Sequence, residues 1–386
     1  MVVEVAETRL TGHVEDSAGR NLRICFVGLD NYAFLRPELG ITHMGGEAVQ
    51  QSLLARQFVQ KGHEVSTIVL DYEEPDAGVI DGISIIRAYK PEAGIKGLRF
   101  FHPRATGIWG ALRRANADIY YESPASVLTG ITAAFCRTYN KKFIFRIASD
   151  ANCVPGQQLI GLWRDRKIYE YGLRHADVRA VQTRKQAALL RQHYNLESVV
   201  INMIAEVTES PTHTNRPIDV LWVNNLRDVK RPDRVLRLAR QLPNFKFVMI
   251  GGASRGSSDL YATMEDEAKQ IQNVEFCGSR SFAYVNECLA SSKILLNTSE
   301  LEGFPNTYLQ AWMRGVPIVA TFDPDDLIQS NQLGLATANA TELSSLLEAL
   351  LSDAEMRSEC ASRVRQFVMQ EYGPDPVVAQ YLDVIY

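Results

Sequence analysis

The sequence predicts an α/β protein built as two Rossmann-like, doubly wound halves that face a central cleft. Three observations carry this. From residue 22 onward, short apolar runs alternate with amphipathic stretches of helical period, the pattern of strand–helix–strand units in parallel sheets. The alternation pauses at residues 206–217, a polar stretch holding Pro211 and Pro217, which reads as a linker. The length, 386 residues, suits two domains of ordinary size. Residues 1–21 are expected to be a flexible lead-in, 22–210 a first domain and 218–373 a second.

In the first half, residues 23–29 (Arg-Ile-Cys-Phe-Val-Gly-Leu) form a short buried strand. Gly45-Gly46 opens a helix over 47–60, whose apolar face is Ala48, Leu53, Leu54, Phe58 and Val59, and Gly62 stops it. Residues 65–70 are the next strand. The same rhythm gives strands at 118–121, 142–148, 176–182 and 199–201, with helices at 125–139 and 184–193. After the linker, strands follow at 219–224, 245–250, 274–277, 294–297 and 317–320. Helices lie between them at 232–241, 259–271, 283–291 and 305–314, the first begun by Pro232 in its opening turn. Helices at 341–351 and 354–371 follow. Gly373-Pro374 interrupts before a last amphipathic segment at 376–386.

Ligands of such sheets bind at the carboxyl ends of the strands, so two facing halves hold a ligand between them. That suits dehydrogenases, binding proteins, epimerases and glycosyltransferases alike. Composition narrows the field. Forty-one Lys and Arg stand against 45 Asp and Glu, a net charge of −4, which speaks against a dedicated nucleic-acid binder. The best candidate for a membrane span, 127–136, is far too short and carries two threonines. The first twenty residues carry Glu4, Glu7, Glu15 and Asp16 and lack the pattern of a secretory signal. Six cysteines without a CxxC pair fit reduced thiols in a cytoplasm, with Cys25 and Cys277 as small core residues. Scattered histidines give no metal-ligand set, so no metal and no cofactor are expected. The first strand is followed by neither GxGxxG nor a P-loop, which counts against a nicotinamide dehydrogenase and a Walker-type ATPase.

The stretch richest in chemistry is 299–320. A strand ends, a tight loop passes through Gly303, and a helix starts near Pro305. The free amides of a helix start, here near Asn306 and Thr307, attract a diphosphate. Glu302 stands just before it, where a carboxylate accepts hydrogen bonds from sugar hydroxyls, and Gln310 follows about one and a half turns on. A second stretch, 95–114, holds five Lys or Arg and no acid, interleaved with Phe100, Phe101, Ile108, Trp109 and Leu112. It fits a peripheral surface on an anionic membrane, and equally an ordinary helix whose apolar residues are core.

The segment Glu302-Gly-Phe-Pro-Asn-Thr-Tyr-Leu-Gln-Ala-Trp-Met-Arg-Gly-Val-Pro-Ile-Val-Ala-Thr321 resembles the signature of glycosyltransferase family 4, retaining enzymes of the GT-B fold (glycosyl transferases group 1). The family pattern has two glutamates eight positions apart; here Glu302 matches the first and Gln310 stands at the second. By this resemblance Glu302 faces the donor sugar without acting as a nucleophile, and Gln310 replaces a ribose contact with an amide that both donates and accepts. Lys230 matches the family lysine that neutralises the leaving diphosphate, with Arg227 three residues before it. Gly252, Arg255, Gly278 and Arg280 resemble loops around the base, and Gly303, Phe304 and Pro305 of the signature are donor-binding by the same resemblance. Gly45 and Gly46 resemble the glycine loop that approaches donor and acceptor. Asp150 resembles an acidic strand end, with Ser149 where many members carry histidine. The likeness runs from about residue 22 and is most specific over 219–325. It implies an acceptor-binding first domain, a nucleotide-sugar-binding second domain, and a terminal segment 374–386 returning to the first. It implies a metal-independent, retaining hexosyl transfer from a UDP- or GDP-linked sugar to a glycan or lipid-linked acceptor, in polysaccharide or glycoconjugate biosynthesis. The place would be the cytoplasm, or the inner face of a membrane. Two alternatives stay open: a non-catalytic nucleotide-sugar-binding protein, and a GT-B nucleotide-sugar epimerase.

Overall fold

The computed structural model describes residues 21–39, 45–73, 78–95, 98–208, 216–254 and 256–386. The lead-in 1–20, most of the linker and Arg255 lie outside them. Two sheets organise the chain. The first has β1 (Arg23–Val27), β2 (Glu64–Val69), β3 (Val79–Ile80), β4 (Ile83–Arg87), β5 (Ile119–Glu122), β6 (Lys142–Arg146), β7 (Val178–Val181) and β8 (Val199–Val200). Their order is β3-β4-β2-β1-β5-β6-β7-β8, parallel throughout except for β3 against β4. The second has β9 (Ile218–Val223), β10 (Phe247–Ile250), β11 (Val274–Gly278), β12 (Ser292–Asn297), β13 (Ile318–Ala320) and β14 (Gly334–Ala336), all parallel, in the order β11-β10-β9-β12-β13-β14.

Both sheets are covered on both faces, which is why their strands read as continuous apolar runs rather than alternating ones. In β1, Ile24 and Phe26 enter one apolar cluster while Cys25 and Val27 enter another on the opposite face. In β9, Leu221 points to one cluster and Val220 and Trp222 to the other. The helix Ala354–Tyr372 buries Cys360, Val364 and Val368 against the second sheet. The helix Pro374–Ile385 instead buries Val377, Val378, Tyr381 and Ile385 in the cluster of Ile24 and Phe26. Lys142 Nζ caps its end, donating to the carbonyls of Val384 at 2.6 Å and Ile385 at 2.7 Å. Arg146 donates to Tyr381 Oη at 2.8 Å. The two interdomain crossings are tied together, since Ala205 N donates to the Tyr372 carbonyl at 2.8 Å.

Element ends differ from the sequence reading by a few residues, and several elements are new. The helix Trp163–His175 has only Tyr169, Gly172 and Leu173 fully buried, so its apolar period is thin. The β3–β4 hairpin is short and half exposed. Segment 95–114 divides. Thr106–Ala115 is a helix whose Ile108, Ala111 and Leu112 are core, and Trp109 packs edge-on against Phe135 with ring centroids 5.3 Å apart. Phe101, before it, stays exposed. Among the described residues, no helix is long and apolar enough to cross a membrane.

Candidate functional site

The carboxyl ends of both sheets converge on a cavity of about 440 Å³. From the first sheet come Gly46, Glu47 and Ala148. From the second come the loops after β9 (Asn224, Asn225, Arg227, Lys230), β10 (Gly251, Gly252), β11 (Ser279, Arg280) and β12 (Glu302 to Thr307). An adjoining cavity of about 210 Å³ shares Gly46, Arg280, Asn306 and Thr307 and adds Gly45 and Gln310. Most of the sequence-picked residues are therefore brought together. Three are not. The Asp150 carboxylate is buried and paired with Lys185 Nζ at 2.8 Å, outside the lining of either cavity. Gly278 lies beneath the lining, at φ +65°, where a Cβ would meet Tyr261 Oη at 2.7 Å. Arg255 lies outside the described residues.

Lys230 and Glu302 are held face to face. Lys230 closes a 3₁₀ turn after β9, and its carbonyl accepts from Thr298 Oγ1 at 2.8 Å. Glu300 N donates to the Val229 carbonyl at 2.8 Å, so the loop after β12 is laced to the loop after β9. Across this lacing Lys230 Nζ meets Glu302 Oε2 at 2.5 Å, with only 14% and 10% of the side chains exposed. Ser299 Oγ donates to Glu302 Oε1 at 2.7 Å. Just beyond, the helix Asn306–Met313 starts at Pro305, and no side chain caps it. Its first amides thus face the cavity with the positive end of the helix dipole. Arg227 lies at the rim, with Nε on Ser254 Oγ at 3.0 Å. Arg280 sits over the Tyr284 ring at 5.2 Å. Gln310 Nε2 points to Asn286 Oδ1 at 3.5 Å.

The two domains touch where glycine allows it. A Cβ on Gly303 would lie 2.4 Å from the Ala148 carbonyl oxygen and 2.6 Å from Gln182 Oε1, and one on Gly46 would lie 2.1 Å from Asn306 Nδ2. Gln182 and Glu47 were not legible as site residues. Gln182 Oε1 accepts from Phe304 N at 2.9 Å, and its Nε2 donates to Glu47 Oε1 at 3.3 Å. Ser123 Oγ donates to Glu47 Oε2 at 2.6 Å. Burial pushes the Glu47 carboxyl upward, opposed by the Arg146 charge and these two bonds. The one sequence signal for Glu47 was its place directly after Gly45-Gly46.

Next to it, Glu122 is fully buried at the end of β5, and burial pushes its carboxyl well above the ordinary carboxylate range. The unfolded chain therefore ionises first as pH rises, and the folded chain loses stability over that interval. Glu122→Gln lacks this penalty. Its melting temperature relative to the parent should climb as pH rises above the ordinary carboxylate range; a pH-independent difference would refute the assignment.

Comparison with known proteins agrees with this geometry. An Anabaena protein, HepE, solved with UDP and glucose, superimposes with a TM-score of 0.73 at 13% identity, covering 95% of this chain and 99% of that one. The fold is GT-B. Residues 204–367, the second GT-B domain and part of the interdomain crossing, match the family model described as glycosyl transferases group 1. Among curated relatives, a Staphylococcus aureus poly(ribitol-phosphate) alpha-N-acetylglucosaminyltransferase is 21% identical over 214 residues. That match covers 53% of this chain but 43% of the relative's length. A Bacillus anthracis N-acetyl-alpha-D-glucosaminyl L-malate synthase is 22% identical over 390 residues, covering 91% of this chain and 97% of its own. The cavity lies between the two GT-B domains, with residues 302–307 supplying one of its sides.

Proposed function

We propose that the protein is a glycosyltransferase that moves a sugar from a nucleoside diphosphate, UDP ahead of GDP, to a hydroxyl of a glycan or lipid-linked acceptor, in the making of a polysaccharide or glycoconjugate. The observation that carries this reading is the Lys230–Glu302 pair, 2.5 Å apart at the uncapped start of Asn306–Met313, inside a cleft cavity of about 440 Å³. A diphosphate placed on the free amides lies within the field of Lys230 and Arg227. Lys230 then turns to the phosphate, and Glu302 is released to accept hydrogen bonds from sugar hydroxyls. As the sugar–phosphate bond breaks, its electron pair goes to the diphosphate oxygen, where these fixed charges lower the barrier most. The acceptor oxygen forms the new bond on the face the diphosphate leaves, and its proton passes to the departing phosphate. Glu302, already engaged by Ser299 and Lys230, positions the sugar rather than attacking it.

UDP is favoured because HepE was solved with UDP and glucose. The test is calorimetric titration of the full chain with UDP, GDP and ADP in the presence of a chelator. Saturable binding of UDP without metal is expected. Absence of heat from every nucleotide would overturn the reading. The Gln310 amide, turned to Asn286, favours a second reading, a nucleotide-sugar binder without turnover. Slow release of UDP from bound UDP-sugar, by transfer or hydrolysis, separates the transferase from it.

A further inference from the structure

Gln50 is a polar residue that folding has buried, with 6% of it exposed. It stands one turn after Gly46 in the helix Gly46–Gln60, so the two share a face. All the partners of its amide lie outside that helix. Its Oε1 accepts from Ile204 N at 2.8 Å, and its Nε2 donates to the Ile204 carbonyl at 2.9 Å and to Asn306 Oδ1 at 2.9 Å. Ile204 lies in the crossing between the domains, after β8 and before β9, and Asn306 opens the helix Asn306–Met313. Gln50 thus ties both to the first domain.

These bonds have a direction. A backbone N–H only donates and a carbonyl only accepts, so Ile204 fixes which end of the Gln50 amide is oxygen. The Nε2 end then meets Asn306, and it can only donate. Asn306 must therefore turn Oδ1 to Gln50 and Nδ2 away from it, since the reverse rotamer would set N–H against N–H. Nδ2 lies over Gly46, where a Cβ would come within 2.1 Å of it, so only glycine leaves it room. Among the described residues Nδ2 has no acceptor, while Asn306 lines both cavities of the cleft.

An amide donor without an acceptor, beside free helix amides and in a cavity that holds Lys230 and Arg227, complements an oxygen of negative charge. We propose that Asn306 Nδ2 donates to the diphosphate of the nucleotide, and that Gln50 is the positioning residue that holds it in this sense. The assignment rests on the nucleoside diphosphate reading of the cleft. Gln50 and Asn306 belong to different domains, so the donor is aimed only when the cleft is closed.

The test is a double-substitution cycle read by calorimetric titration of the full chain with UDP. Asn306→Ala should weaken UDP binding about tenfold to a hundredfold, the scale of one hydrogen bond to a charged group. Asn306→Asp, of the same shape, should weaken it further, because a carboxylate oxygen then faces the phosphate. Gln50→Met keeps the volume and removes the amide. It should weaken UDP binding about threefold, since an amide free to turn presents Nδ2 only part of the time. In the Asn306→Ala background Gln50→Met should change the affinity no further, because its effect passes through Asn306. Uridine, which has no phosphate, should bind every variant as it binds the parent. Parental UDP affinity in Asn306→Ala overturns the assignment of Nδ2, and additive effects of the two substitutions overturn the role of Gln50. Equal losses for uridine and UDP also overturn the proposal, since both residues would then only shape the cleft. A parent chain that binds no nucleotide overturns the donor reading and this assignment with it.

Discussion

Lys230→Ala is expected to lower kcat by about 10²–10³, the range seen when one preorganised charge or donor facing a developing anion is removed. UDP binding should weaken as well, because the same ammonium attracts the ground-state diphosphate. Two effects mix in this variant. Removing Lys230 leaves Glu302, with 10% of its side chain exposed, as a nearly buried charge without its partner. Breaking such a pair costs about 3–5 kcal/mol of stability in buried sites. The double substitution Lys230→Ala/Glu302→Gln separates them: it should recover melting temperature and remain catalytically poor. Turnover at the parental rate in Lys230→Ala would remove Lys230 from the leaving-group site.

Gly303→Ala is expected to lower kcat/KM by about 10² or more, the scale of an ångström-sized misplacement of reacting groups. The new Cβ would lie 2.4 Å from the backbone carbonyl of Ala148, which no rotamer change can relieve, and 2.6 Å from Gln182 Oε1. The loop that carries Glu302 must then retreat from the first domain. The hydrogen bond from Phe304 N to Gln182 is lost with it. Each domain keeps its own core, so the melting temperature should fall little while the radius of gyration in small-angle scattering rises as the cleft opens. A variant with parental activity and unchanged scattering would show that this contact does not set the catalytic geometry. Gln182→Ala, which leaves the backbone contact in place, should give a milder loss than Gly303→Ala.

Much of the fold was readable because parallel sheets covered on both faces leave a strong local trace. β1 and β9 each hold an unbroken apolar run, residues 24–27 and 220–223, and Pro232–Gln241 starts at a proline and presents Val235, Leu236, Leu238 and Ala239 to the core. Elements that bury little escaped: Trp163–His175, with three fully buried residues, and the two-residue β3. Segment 95–114 left two readings open, since basic and aromatic residues at helical spacing look the same whether the aromatic ring faces lipid or the neighbouring helix. Trp109 and Ile108 went inward, Leu98 and Phe101 outward.

The site divides along the same line. The Glu302–Thr307 segment and Lys230 were legible because each is a contiguous stretch whose local geometry, a strand end running into a turn or helix start, is written in its own residues. Asp150 shows the limit of that logic. Its strand end is real, but its carboxylate is taken by Lys185, from a helix 35 positions later in the chain. Ser123 and Gln182 follow two separate strands, β5 and β7, and Glu47 lies in the first turn of the helix Gly46–Gln60, so nothing in the sequence says that their side chains meet. Only the strand order β5-β6-β7, with that helix start packed beside it, brings them together, and only the closing of the second domain puts Phe304 N on Gln182. Local pattern thus marked which segments fold and which loop runs into a helix start at the cleft, because hydrophobic period and helix starts depend on neighbours along the chain. Partners for the carboxylates, and the face the cleft presents, depended on contacts between distant residues, which packing alone creates.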